Sequence, residues 1–249
     1  SRLYITGDHG VQYVAMETET ATASNRGTPT ARIKPAPRYG SELGGITFFA
    51  GHKDTGYVDG VGPNARFDRP WNCFVHNETV FILDNKYIRT IDETSAEVKT
   101  YIGDGNAAST DGYGTSASVN STQQMVSLNA NTIIVLEQGN HCLRRIDSAT
   151  AYITSWVGLC GTSGYTEGTG TAARFNDIWD FTINDAKDTL YLADVNSYRV
   201  RQVTSLSAST GTTGVLIGDG TAGFTGVKVN RACAVAWRQE TSAVYWMDY

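Results

Sequence analysis

GYVDGVGPNARF at 56–67, STDGYGTSASV at 109–119 and GYTEGTGTAARF at 164–175 are three versions of one phrase. Each carries an acidic residue (Asp59, Asp111, Glu167), then Gly-x-Gly (Gly60 and Gly62, Gly112 and Gly114, Gly168 and Gly170), then an apolar anchor (Phe67, Val119, Phe175). Recurrence of this kind is the signature of a tandem array. The glycines fit a loop that needs positive φ or close backbone approach, and the anchors suit burial between neighbouring units.

Behind each phrase come four short apolar segments separated by turns. In 71–103 they are WNCFVH, TVFILD, KYIRTID and AEVKTYIG; the next unit has QQMVSL, TIIVLE, HCLRRID and AYITSWVG, and the third WDFTIN, TLYLAD, SYRVRQV and GVLIG. Short β-branched and aromatic runs bounded by polar turns read as strands, so each unit is a four-stranded meander. The closing glycines Gly51, Gly103, Gly158 and Gly218 are 52, 55 and 60 residues apart by subtraction, a period that suits a β-propeller blade. The expected organisation is one all-β propeller over 1–249: a partial blade at 1–50, blades at 51–103, 104–158 and 159–218, and a partial blade at 219–249.

Taken together, DGxGxxAxF, LYLAD at 190–194, Asn196 two residues later, the arginine-bearing RVRQV at 199–203 and GNHCLRRID at 139–147 resemble the NHL repeat. The likeness covers nearly the whole chain, with departures in LDNKYIRTID (83–92), which is shorter, and in VQYVAM (11–16), which lacks the arginine. The resemblance implies a propeller, usually of about six blades. It further implies a non-catalytic interaction module akin to surface glycoproteins of protists, including those that attach a flagellum to the cell body.

Both ends look like second strands, RLYIT at 2–6 and AVYWMD at 243–248, so the strand types add up to four blades and a strand over. The ring is therefore expected to be incomplete, or to be completed by other residues or subunits, and open edges would invite pairing with another chain. The segment 20–44 interrupts the first unit and holds Pro29, Pro35 and Pro37. It reads as an extended surface loop, with Thr28 and Thr30 as candidate O-glycosylation sites.

The 249 residues include 20 Lys+Arg against 25 Asp+Glu, a net charge of −5, which argues against a nucleic-acid partner because phosphate binding needs clustered cations. No apolar stretch approaches the roughly 20 residues that span a bilayer, and the opening SRLYITGDHG lacks the pattern of a signal peptide. No membrane insertion is expected within this segment.

Asn77-Glu78-Thr79 and Asn120-Ser121-Thr122 are N-glycosylation sequons, and both asparagines are expected at the surface. Cys73, Cys142, Cys160 and Cys233 lack the C-x-x-C spacing of zinc or redox motifs. Cys142 and Cys160 fall on a third strand and just past the following fourth strand, a disulfide candidate with two inert thiols as the alternative. Aligning the units places Cys73, Met125, Phe181 and Cys233 at one apolar slot. The four histidines, His9, His52, His76 and His141, do not converge in the strand order, and no G-x-S-x-G elbow exists. No catalytic residue, metal or cofactor is expected. Asp59, Asp111 and Glu167 recur once per blade, as loop-shaping groups do; Arg89, Arg145 and Arg201 recur on third strands with Tyr87, Tyr152 and Tyr198 nearby, which suits packing and salt bridging between blades, the alternative being a protein-binding surface made from loop Tyr and Trp residues.

These features lead to an extracellular or cell-surface module that binds a protein partner, or assembles with itself, through propeller loops or open edges, with glycans attached. The rival readings are an intracellular scaffold for protein or RNA and a metal-dependent lyase or hydrolase that uses the propeller channel.

Overall fold

The computed structural model describes residues 2–7, 10–15 and 46–249. The candidate O-glycosylation sites Thr28 and Thr30, the proline-bearing segment 20–44 and His9 lie outside them. Strands and short 3-10 turns make up the regular structure of the described residues.

Five antiparallel sheets follow one another along the chain. The first holds β1 (Arg2–Gly7), β2 (Gly10–Ala15) and β3 (Ile46–Gly51). The second holds β4 (Gly60–Val61), β5 (Pro70–His76), β6 (Thr79–Asp84), β7 (Tyr87–Ile91) and β8 (Glu97–Ile102). The third repeats it with β9 (Gly112–Tyr113), β10 (Thr122–Asn129), β11 (Thr132–Glu137), β12 (Cys142–Asp147) and β13 (Tyr152–Val157). The fourth has β14 (Ile178–Ile183), β15 (Thr189–Asp194), β16 (Arg199–Thr204) and β17 (Thr212–Ile217), and the last pairs β18 (Ala232–Arg238) with β19 (Ala243–Asp248). β3 packs on the phrase turn at 62–64 as β8 and β13 pack on the turns that follow them, so the first sheet supplies the second to fourth strand positions of a blade.

The second strands read as unbroken apolar runs because a blade is covered on both faces, so the usual alternation of polar and apolar residues disappears. Leu83 and Ile88 pack toward the third sheet with Val119, Met125 and Val135, while Ile82 and Ile91 pack toward the first with Val11, Ala50 and Phe67. Phe175, Phe181 and Leu192 meet Leu136, Leu143 and Trp156 between the third and fourth sheets. Phe67, Val119 and Phe175 are fully buried.

The phrase glycines do two separate jobs. Gly62, Gly114 and Gly170 have φ of 54, 50 and 58°, the left-handed region that L side chains rarely adopt. At Gly60, Gly112 and Gly168 the constraint is close approach: a Cβ would come within 3.2 to 3.3 Å of the backbone at Asn64, Ser116 and Ala172.

Neighbouring sheets are tied by side-chain hydrogen bonds to the first strands. Thr6 donates to the Trp71 carbonyl at 3.4 Å and Asn72 to that of Gln123 at 3.1 Å. Gln124 donates to the Phe181 carbonyl at 2.8 Å and accepts from its amide at 2.9 Å, and the Val235 amide donates to Asp180 at 2.8 Å.

Candidate functional site: buried latches and an aromatic rim

Each complete sheet holds a fully buried arginine on its third strand, fixed between two acidic groups. Arg89 meets Asp84 at 3.3 Å and Asp59 at 2.5 Å. Arg144 meets Glu137 at 2.7 Å and Asp111 at 2.9 Å; Arg201 meets Asp194 at 3.1 Å and Glu167 at 3.0 Å. The guanidinium also donates to a phrase carbonyl, Arg66, Ser118 or Arg174, and in the second and fourth sheets it lies over the anchor rings of Phe67 and Phe175. The phrase carboxylates thus face outward on one side and grip the third strand on the other. Asp59 and Asp111 also accept the amides of Thr100 and Ser155 on the fourth strands.

This geometry corrects the arginine series. The third-sheet member is Arg144, not Arg145, because strand alternation turns consecutive residues to opposite faces. Arg145 instead lies over Trp156 at 4.9 Å and donates to the Leu206 carbonyl at 2.5 Å. Sequence reading missed the inner acids Asp84, Glu137 and Asp194, although TVFILD, TIIVLE and TLYLAD each end in one. Burial pushes Asp84 up to about 6, against the pull of the Arg69 amide and Arg89, and raises Glu137 and Asp194 as well. Asp59 is partly buried, which pulls its carboxyl upward, but bonds from Thr100 and Arg89 hold it below its ordinary value.

Past the latches, the start of each first strand carries a register shift, between Pro70 and Asn72, Thr122 and Gln124, Ile178 and Asp180, and Ala232 and Ala234. A bulge re-aims the extra residue. Trp71, Gln123, Trp179 and Cys233 occupy these positions, and the two tryptophans are 61% and 40% exposed. Cys233 therefore belongs with the bulges, and Val235 takes the slot of Cys73, Met125 and Phe181. Cys73 and Cys233 are both half-buried, and Cys73 packs against the core between the first and second sheets.

Trp179 is held in place. Its indole donates to Asp177 Oδ2 at 2.8 Å, and Asp177, at φ 75°, also accepts from Gln138 at 2.5 Å and Asn196 at 3.3 Å while its amide donates to His141 Nδ1 at 3.1 Å. In the second sheet the corresponding rim joins Tyr57, Asp68 and Asn85, with Tyr57 donating to Asp68 at 2.9 Å. The rim thus presents ring faces held by side-chain hydrogen bonds. Among the described residues no group of three or more His, Cys, Asp and Glu side chains is placed to hold a metal ion.

The sequons differ. Asn77 is exposed on the β5–β6 turn and donates to the Ala130 carbonyl at 2.7 Å, beside the buried His76, which bridges to Ser127 and Ala130 of the next sheet. Asn120 is half-buried, not exposed as expected, because its amide lies 3.3 Å from Asn140 and Thr122 is fully covered. A disulfide joins Cys142 to Cys160 and fastens the loop after β13 to the start of β12. No helix among the described residues is long and apolar enough to cross a membrane.

No family model matches the chain, and no curated protein matches it. Among solved structures it is similar to an auxiliary nutrient binding protein of Bacteroides thetaiotaomicron, 14% identical with a TM-score of 0.59, over 74% of this chain and 46% of that one. It is also similar to a second protein of that bacterium, provisionally named a phosphatase, 15% identical with a TM-score of 0.59, over 97% of this chain and 52% of that one. The chain spans about half the length of each. At these identities the likeness concerns the fold alone, and the fold is an all-β, propeller-type array of antiparallel sheets.

Proposed function

We propose that this chain is a non-catalytic, extracellular or cell-surface interaction module of the NHL type, serving adhesion or an extracellular assembly, and that it binds its protein partner through the rim at the starts of the first strands. The observation that carries the reading is Trp179, exposed yet fixed by Asp177. A preorganised aromatic loses little freedom on binding, which is what an interface anchor needs. Trp71 repeats the position two sheets away.

Support comes from how the charged groups are used. The buried arginines and carboxylates are consumed in latches, and the rim polar groups bond one another, so they suit recognition better than proton transfer. The Cys142–Cys160 bridge suits an oxidising compartment, and Asn77 presents an accessible sequon. The test is affinity capture from the native cell surface with the wild-type chain and the Trp71→Ala/Trp179→Ala chain as baits, compared by quantitative mass spectrometry. A partner set retained by the wild type and lost by the variant supports the rim; identical sets rule it out.

A further inference from the structure

We propose that the rim around Trp179 is a carbohydrate site: the indole face stacks on a neutral pyranose ring, carried as a glycan by the partner protein, and side chains gathered at Asp177 bond its hydroxyls. The inference rests on the rim being the binding surface. Trp179 is 40% exposed, and its N–H is already committed to Asp177 Oδ2 at 2.8 Å, so what it offers a ligand is the ring. The face of an indole carries the negative part of the ring quadrupole and attracts the weakly positive C–H groups that line one side of a pyranose. The bond to Asp177 holds the ring plane before any ligand arrives, which spares part of the ordering cost of binding.

The polar groups beside the ring supply donors and acceptors together. Asp177 accepts from Gln138 at 2.5 Å, from Trp179, and from Asn196 at 3.3 Å, all of them neutral side chains. Both carboxylate oxygens are committed to these donors, so the groups left for a ligand are uncharged. Asn196 is exposed, and with its amide nitrogen held by Asp177 its Oδ1 remains an acceptor without a partner among the described residues. His141 Nδ1 accepts the Asp177 amide at 3.1 Å, which puts the ring proton on Nε2, a donor without a partner among the described residues. A sugar hydroxyl both donates and accepts, and therefore matches a free donor and a free acceptor set around one ring. A peptide surface is a poorer match. The bulge positions on either side of Trp179 carry Gln123 and Cys233, so the ring stands alone, without the contiguous apolar centre around which protein interfaces are built.

The experiment applies the fluorescently labelled 249-residue chain to an array of plant, animal and microbial glycans, then titrates the methyl glycoside of the best-bound neutral sugar by saturation-transfer NMR. The expected result is saturable binding, weakened roughly tenfold or more by Trp179→Ala and less by Asn196→Ala, with Trp179→Phe in between because it keeps a ring but loses the bond to Asp177. Asn196 is exposed, so its variant tests the site even where removal of Trp179 disturbs the rim, and thermal unfolding of each variant checks the fold. Capture from the native cell surface is then repeated after enzymatic removal of surface glycans and is expected to fail. Three results would overturn the proposal: no neutral glycan bound, binding that neither alanine variant weakens, or binding confined to sulfated or sialylated glycans and abolished by salt. Capture that depends on Trp179 yet survives deglycosylation removes the sugar and leaves the rim standing, whereas identical capture by the wild type and the double tryptophan variant removes the rim and this proposal with it.

Discussion

Arg144 Nη2 lies 2.9 Å from Asp111 Oδ1 across 33 residues of sequence, and the same guanidinium meets Glu137 at 2.7 Å with no solvent exposure. The pair closes the phrase loop over its own sheet. Removing the cation leaves Glu137 as an uncompensated charge in a dry site, so Arg144→Met is expected to cost about 3 to 5 kcal/mol in urea unfolding. Arg145→Met loses a ring contact and one carbonyl bond, an effect of about 1 kcal/mol. Equal losses for the two neighbours would refute the latch.

The inner acids predict an unusual pH profile. Because burial raises Asp84 to about 6, the folded chain binds that proton more tightly than the unfolded chain between about pH 4 and 6, and stability falls as pH climbs through this window. Glu137 and Asp194, raised by the same cause, add to the slope. Asp92, held down by the Ser95 amide, and Asp188, held down by Asn184, act oppositely, losing their contribution as pH falls below the ordinary carboxylate range. The urea midpoint is expected to be higher at pH 5 than at pH 7, with a shallower decline in Asp84→Asn; a midpoint that rises steadily to pH 7 contradicts this.

Cys142–Cys160 closes a loop with a sequence separation of 18. Chain entropy alone assigns such a cross-link about 3 kcal/mol. Cys160→Ser is the gentler variant, since Cys142 is fully buried, and it is expected to match the reduced wild type in thermal unfolding. Identical melting of oxidised, reduced and variant proteins would show that the bridge does not form.

Gln124 satisfies both backbone groups of Phe181, at 2.8 and 2.9 Å, and so couples the third sheet to the fourth. Gln124→Ala is expected to cost about 1 to 3 kcal/mol and to speed hydrogen exchange at the Phe181 amide. Unchanged exchange at Phe181 would show that the side chain is dispensable.

Glycan occupancy is expected to differ between the sequons when the chain passes through a secretory pathway. Asn77 is exposed and keeps one amide hydrogen for the Ala130 carbonyl after modification, giving up the one shared with His76, whereas half-buried Asn120 stands beside a fully covered Thr122 that leaves its sequon poorly accessible. Peptide mass spectrometry is expected to show sugar on Asn77 and a bare Asn120; the reverse pattern contradicts the packing.

What the sequence determined by itself is the array: three phrases with Gly-x-Gly and a buried anchor, each followed by four apolar runs, gave the all-β repeat and its strand order. Those signals are local, because turn glycines and apolar runs act through their own backbone and nearest neighbours. Tertiary structure decided the rest. Which of Arg144 and Arg145 faces the core depends on strand register, since one step flips every side chain. The inner acids were visible as strand ends, yet only the folded sheet shows that Asp84, Glu137 and Asp194 are buried against arginines 5 to 7 residues onward. A surface of loop Tyr and Trp residues was an alternative the sequence allowed, but its place was illegible for the same reason: Trp71 and Trp179 are aimed outward by bulges, and Asp177 gathers Gln138, His141 and Asn196 from separate loops. Contacts between residues far apart in the chain exist only once the sheets have stacked.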